Sequence, residues 1–265
     1  TTSIAGLGAD EYKWSGGSFV NITGKLYFSP QNADGVHIVD PMTNVSDTTA
    51  IAGFGVGSNK WLNVIYGHTT QKLYFCPYDA DNVLVVDPLT NTSDTTAITG
   101  FPLRGAKWSQ GVFAPTTGKL YFCPYDADNV LIVDPMTNVS DTTAIAGLTA
   151  AGGKWIGAAF ASTTGKLYFT PSTSTAMLIV DPSTNASDTT AISGFGVLPN
   201  KWNDGVFVPT TGKIYCAPFN ADNVLVVDPA TNVSDTTAIA VLVGNAKWSD
   251  VVFLHTTGKL YFSPF

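Results

Sequence analysis

Apolar residues along this chain fall in short runs, each closed by Pro, Gly, Asn or Asp. Residues 95–147 show the pattern. A first run, Trp108 to Ala114 (WSQGVFA), is followed by PTTG, and a second, Lys119 to Cys123 (KLYFC), by PYDADN. A third, Val130 to Asp134 (VLIVD), is followed by PMTNVSD; a fourth, Thr142 to Gly147 (TTAIAG), leads through a variable loop to Lys154 and Trp155. Runs this short, separated by turn residues, predict four strands joined as antiparallel hairpins. The third run is apolar on both faces, as a strand in the middle of stacked sheets must be. No stretch carries the i, i+3, i+4 spacing of an amphipathic helix.

The pattern repeats. Trp14, Trp61, Trp108, Trp155, Trp202 and Trp248 are spaced by 47 residues, except for a last interval of 46. A period of this length denotes propeller blades or helical arrays, and the strand pattern selects blades. The expected fold is all-β: a six-bladed β-propeller of four-stranded antiparallel blades around a channel, a single domain over residues 1–265. Its repeats start at Thr1, Thr48, Thr95, Thr142, Thr189 and Thr236. The sixth repeat has a second strand (KLYFSPF, 259–265) but no counterpart of VLVVDP. Residues 1–6 (TTSIAG) match the fourth run, so the N-terminal strand is expected to close the last blade. That blade is then three-stranded, or the sequence is cut from a longer one, or another chain fills the gap.

The segment KLYFCPYDADNVLVVDPLTNTSD (72–94) resembles the YVTN/NHL-like propeller repeat: an aromatic strand, a small polar turn, a Val-rich strand, then Asp and Thr-Asn. The resemblance covers essentially the whole chain. It implies a propeller and leaves the activity open, because one fold hosts many activities. The layout GGKW…F…TTGKLYF (152–169) is more loosely similar to the tachylectin propellers, which bind amino sugars. The aromatic-rich connecting sequence of those lectins is absent here.

Composition narrows the partners. Charged residues are only 12% of the chain and the net charge is −7, a balance that repels nucleic acid and anionic membrane surfaces. No apolar run reaches the 18 or so residues of a membrane span. The chain opens Thr1-Thr2-Ser3, with no signal peptide or initiator Met, as a mature product or an excised fragment would. An extracellular location is expected. Cys76 and Cys123 hold one equivalent place in successive repeats, too far apart to bridge; with Cys216 they read as small buried hydrophobes.

Catalytic signals are absent. His37, His68 and His255 form no evident cluster, Glu11 is the only glutamate, and no nucleophile elbow, phosphate loop or zinc pattern occurs. The expectation is a protein that is not an enzyme and takes no cofactor and no metal. Candidate ligand residues gather in the turn between second and third strands. PYDADN (77–82, 124–129) and PFNADN (218–223) place Tyr78, Tyr125 or Phe219 beside Asp79, Asp81, Asp126, Asp128 and Asp222. An aromatic face beside acceptor side chains suits stacking and hydrogen bonding of a sugar. The D-x-D spacing also suits calcium, and the plain alternative is a turn that Asp and Asn stabilise. The second residue after each Trp varies, giving Asn63, Gln110, Asp204 and Asp250, which are expected on the same face as the turns. The Lys before each Trp is expected to pair with the acidic turns, and the Trp to pack between blades. Sequons at Asn44, Asn91, Asn138, Asn185 and Asn232 read either as glycan acceptors or as a turn copied with the repeat. Two functions follow: a lectin-like glycan-binding module, or a structural repeat that takes a protein partner in a larger extracellular assembly.

Overall fold

The computed structural model describes Ile4, Leu7 and residues 12–57, 59–103, 105–149 and 152–265. Among them there is no helix, and the strands form a succession of up-and-down sheets. The first blade comprises β1 (Ser15–Val20), β2 (Lys25–Ser29), β3 (His37–Asp40) and β4 (Val45–Asp47). The second comprises β5 (Trp61–Gly67), β6 (Lys72–Pro77), β7 (Leu84–Asp87) and β8 (Thr92–Asp94). The third holds β9 (Trp108–Ala114), β10 (Lys119–Pro124), β11 (Leu131–Asp134) and β12 (Val139–Asp141). The fourth holds β13 (Trp155–Ala161), β14 (Lys166–Pro171), β15 (Leu178–Asp181) and β16 (Ala186–Asp188). The fifth holds β17 (Trp202–Val208), β18 (Lys213–Pro218), β19 (Leu225–Asp228) and β20 (Val233–Asp235). The last sheet has only β21 (Trp248–Leu254) and β22 (Lys259–Pro264). Five full blades and a two-stranded sixth sheet are the make-up of a six-bladed propeller.

Each connection follows from local chemistry. Between first and second strands the chain turns through a left-handed residue, a glycine at Gly24, Gly118, Gly165, Gly212 and Gly258 and Gln71 in the second blade. Between third and fourth strands, Asp40 Oδ1 accepts the amide of Met42 at 2.9 Å and Asn44 takes φ 57°. All five sequon asparagines of this turn share that conformation, at φ 55–58°. Asn tolerates it better than other residues with a Cβ, so the turn itself accounts for the recurring Asn.

The fourth strand lies earlier than the pattern of runs predicts. It is the tripeptide before Thr-Thr, with Val85 opposite Asp94 and Asp87 opposite Thr92 in the second blade. The terminal Asp stops it: Asp94 Oδ1 accepts the Thr96 amide and hydroxyl and the Ala97 amide, at 2.7–3.0 Å. TTAITG (95–100) then folds back beside the third strand through one bridge, Asn82 to Thr99, and the Ile98 carbonyl takes the Val83 amide at 3.0 Å.

By compactness the chain divides into two units, Thr1–Phe113 with Gly118–Phe122 and Ile132–Ser140, and Ala114–Thr117 with Cys123–Leu131 and Asp141–Phe265. In the first, Tyr27, Ile38 and Ile51 of one repeat pack with Trp61, Leu73, Phe75, Leu84 and Val86 of the next. In the second, Tyr168, Ile179 and Ile192 pack in the same way with Trp202, Ile214, Cys216, Leu225 and Val227. Each of these large side chains contributes about 1.5–3 kcal/mol when fully buried. The strand expected of Thr1–Gly6 lies outside the described residues, apart from Ile4, which is exposed.

Candidate functional site

Strand register puts two sequence motifs at one end of a blade. Trp61 lies opposite Pro77, and Trp202 opposite Pro218, so the start of the first strand adjoins the turn that follows the second. The tryptophans are structural at this end. Trp61 and Trp202 are buried, and their indole N–H groups donate to the carbonyls of Asn82 and Asn223 at 2.9 and 2.8 Å. Trp14 and Trp155 do the same to Gly35 and Ala176, both at 2.8 Å.

The lysines before them are half-buried or buried, and one of them makes the expected ion pair with an acidic turn. Lys107, Lys154 and Lys201 are buried. Lys60 Nζ donates to the carbonyls of Ala33, Gly55 and Gly57 at 2.8–3.0 Å; Lys107 and Lys154 donate to Tyr78 and Tyr125 carbonyls at 3.1 and 3.2 Å. A buried ammonium needs such acceptors, and backbone carbonyls of the tight loops supply them. Burial lowers the pKa of Lys60 and takes that of Lys201 down to about 8. Lys247 approaches an acidic turn, Asp222, at 3.9 Å.

The turn residues divide into two roles. Asp79 Oδ1 accepts the Ala106 amide and Asp126 Oδ1 the Gly153 amide, both at 2.7 Å. Asn220 does the same for Ala246 at 3.1 Å. These side chains fasten the loop before the following Trp. The outer acids, Asp81, Asp128 and Asp222, are exposed. Beside them Tyr78, Tyr125 and Phe219 are half-buried. Burial raises the Tyr125 pKa, and Phe219 meets Phe265 edge-on at 5.0 Å.

The second residue after each Trp gives a different environment. Asn63 is half-buried against Gly16, and its Oδ1 accepts the Val64 amide at 2.6 Å. Gln110 is half-buried on β9, with its carbonyl 3.7 Å from Cys76 Sγ. Asp204 and Asp250 come together and share a hydrogen bond. Asp204 is packed so closely that a Cβ added to Gly157 would lie 2.7 Å from its Oδ1. Burial, then the Asp250 charge, raise its pKa well above the usual carboxylate range, although the amides of Gly205 and Val251 favour the anion. Asp250 is exposed and faces a groove of about 180 Å³ lined also by Val252, Tyr261 and Phe262. The pairing escaped sequence reasoning, which treated these positions one by one. Its signal was two acids at one repeat position in successive repeats.

The other candidate groups are structural. Cys76, Cys123 and Cys216 are buried thiols, and burial pushes that of Cys216 up to about 12. His37 is buried against Trp14 and Phe28, at 4.8 and 5.5 Å, and burial lowers its pKa. Among the described residues no group of three or more His, Cys, Asp or Glu side chains is placed to hold a metal, and no helix could cross a membrane.

No protein-family model matches the chain, and no curated protein matches it. Solved structures do. A catalytically inactive virginiamycin B lyase from Staphylococcus aureus, with quinupristin, superposes with a TM-score of 0.73 at 10% identity, over 97% of this chain and 79% of that one. The nidogen/laminin complex matches with a TM-score of 0.62 at 13% identity, over 94% of this chain and 82% of that one. An auxiliary nutrient binding protein from Bacteroides thetaiotaomicron matches with a TM-score of 0.63 at 12% identity, over 95% of this chain and 66% of that one. The fold is a β-propeller. Identities this low establish the fold alone. They also correct the expectation that the chain is not an enzyme: a lyase is built on this propeller architecture, so the lack of a recognisable catalytic motif does not separate binder from catalyst.

Proposed function

We propose that this propeller is an extracellular binding module that takes glycans at the Trp end of its second, third and fifth blades. One observation carries the reading. In the second, third and fifth blades the inner acceptor of the turn is used to fasten a loop, while the outer acid stays exposed beside a half-buried ring. The subsites are Tyr78 with Asp79 and Asp81, Tyr125 with Asp126 and Asp128, and Phe219 with Asp222. A half-buried ring offers one apolar face for a pyranose, and the outer carboxylate accepts from its hydroxyls. Asn63, Gln110, Asp204 and Asp250 add polar groups at the starts of first strands. The name of one structural neighbour, a nutrient binding protein, is in keeping with such a role.

The test is a glycan array followed by calorimetry on any hit. Tyr78→Ala combined with Tyr125→Ala is expected to weaken binding at least tenfold, with Asp81→Ala and Asp128→Ala intermediate. Full affinity in the double variant would sink the proposal. A protein partner is the second reading, in keeping with the nidogen/laminin complex among the structural neighbours.

A further inference from the structure

The fourth blade departs from the others at the turn between second and third strands. Residues 171–176 read PSTSTA, and Thr175 stands where the other turns have Asp34, Asp81, Asp128 and Asp222. The backbone fixes this equivalence. The carbonyls of those four acids accept the amides of Phe54, Phe101, Leu148 and Leu242 at 2.9–3.1 Å, and the Thr175 carbonyl accepts that of Phe195 at 3.0 Å.

Elsewhere the acid serves the lysine before the next Trp. Asp34 favours the charged form of Lys60 against burial, and Asp222 lies 3.9 Å from Lys247. Lys201 faces the turn of the fourth blade, since its amide donates to the Ser172 carbonyl at 3.1 Å, and this turn carries no acid. Lys201 is 3% exposed, and among the described residues its ammonium has one acceptor, the Leu198 carbonyl at 3.2 Å. Lys60 has three carbonyls. An ammonium has three donors to satisfy, and a buried one short of acceptors and of a counter-charge releases its proton. Burial accordingly takes the Lys201 pKa down to about 8. The acceptor belongs to an exposed loop, with Val197, Leu198 and Pro199 all exposed, so the amine lies just beneath the surface.

We propose that Lys201 is a nucleophilic amine that condenses with small uncharged aldehydes, a covalent site at the one full blade whose turn offers neither ring nor acid beyond the first. The neutral amine adds its lone pair to the carbonyl carbon and the C–N bond forms. A proton passes from nitrogen to oxygen, water leaves, and a neutral imine remains. No other reactant is consumed. Desolvation is what activates a lysine for this chemistry, and an uncharged imine suits a site that holds an ammonium poorly. At pH 7 about a tenth of amines with a pKa of about 8 are neutral, against less than about a thousandth at the ordinary lysine value of about 10.4.

The probe is acetaldehyde with cyanoborohydride, which reduces the imine to a stable ethylamine. The full chain is treated at pH 7, digested, and each lysine followed by mass spectrometry. Lys201 is expected to be labelled at least fivefold faster than the exposed Lys213, with a rate that levels off above about pH 8. Thr175→Asp supplies the acid of the other turns and should slow Lys201 at least fivefold, whereas Thr175→Asn, of the same shape without charge, should leave it unchanged. Asp222→Thr should speed Lys247 about threefold. Thr175 and Asp222 are exposed, and melting curves confirm that the variants fold. Labelling of Lys201 no faster than that of Lys213 overturns the proposal, and so does equal slowing by Thr175→Asp and Thr175→Asn.

Discussion

Asp204 and Asp250 show how a copied position acquires new chemistry. One repeat places Gly157 at this site and the next two place acids, so a half-buried acid ends up packed on glycine backbone and bonded to a second carboxylate. A raised carboxyl pKa sets the sign of its contribution. The folded chain holds a proton that the unfolded chain has already lost, so stability is fullest below the unfolded pKa, about 3.9, and declines as pH rises through the folded value. Asp204→Asn keeps the shape without the charge. It is expected to raise the melting temperature by a few degrees at pH 7, with the gain shrinking toward pH 4; melts across that range check it. His37, Lys107 and Lys154 were visible as residue types, but nothing local told that they are inside. Burial depends on what the neighbouring repeat lays over them.

The first hairpin turn is where element geometry and sequence disagree. Gly24, Gly118, Gly165, Gly212 and Gly258 take φ of 68–71°, and Gln71 takes 58° at the equivalent place with the same amide bond, to the Gly67 carbonyl at 2.8 Å. A left-handed residue with a Cβ costs about 1–2 kcal/mol, partly offset because Gly loses more freedom on folding. Gln71→Gly should therefore stabilise by about 0.5–1 kcal/mol, read as a higher urea midpoint at unchanged slope. The strands themselves were largely legible, since KLYFCP and LVVD carry their own turns. The fourth was misplaced because Val-Ser-Asp is short and polar. The Asp cap that ends it becomes visible only once its oxygen is seen to bind the Thr96 and Ala97 amides.

For the whole molecule, the last sheet has two strands among the described residues where the other sheets have four. Amides of β22 that point away from β21 lack ladder partners among the described residues, whereas the corresponding strands β6, β14 and β18 are paired on both sides. Hydrogen exchange should show those β22 amides unprotected and the amides of β6, β14 and β18 protected by orders of magnitude; comparable protection in β22 would mean that a strand covers it. The 47-residue period, the strand order and the turn chemistry were determined by the sequence itself, because each blade is built from contacts close along the chain. The apposition of Asp204 with Asp250 and the burial of Lys107, Lys154 and Lys201 were decided only by tertiary structure. Each depends on one repeat meeting the next, and identical local sequences meet different neighbours.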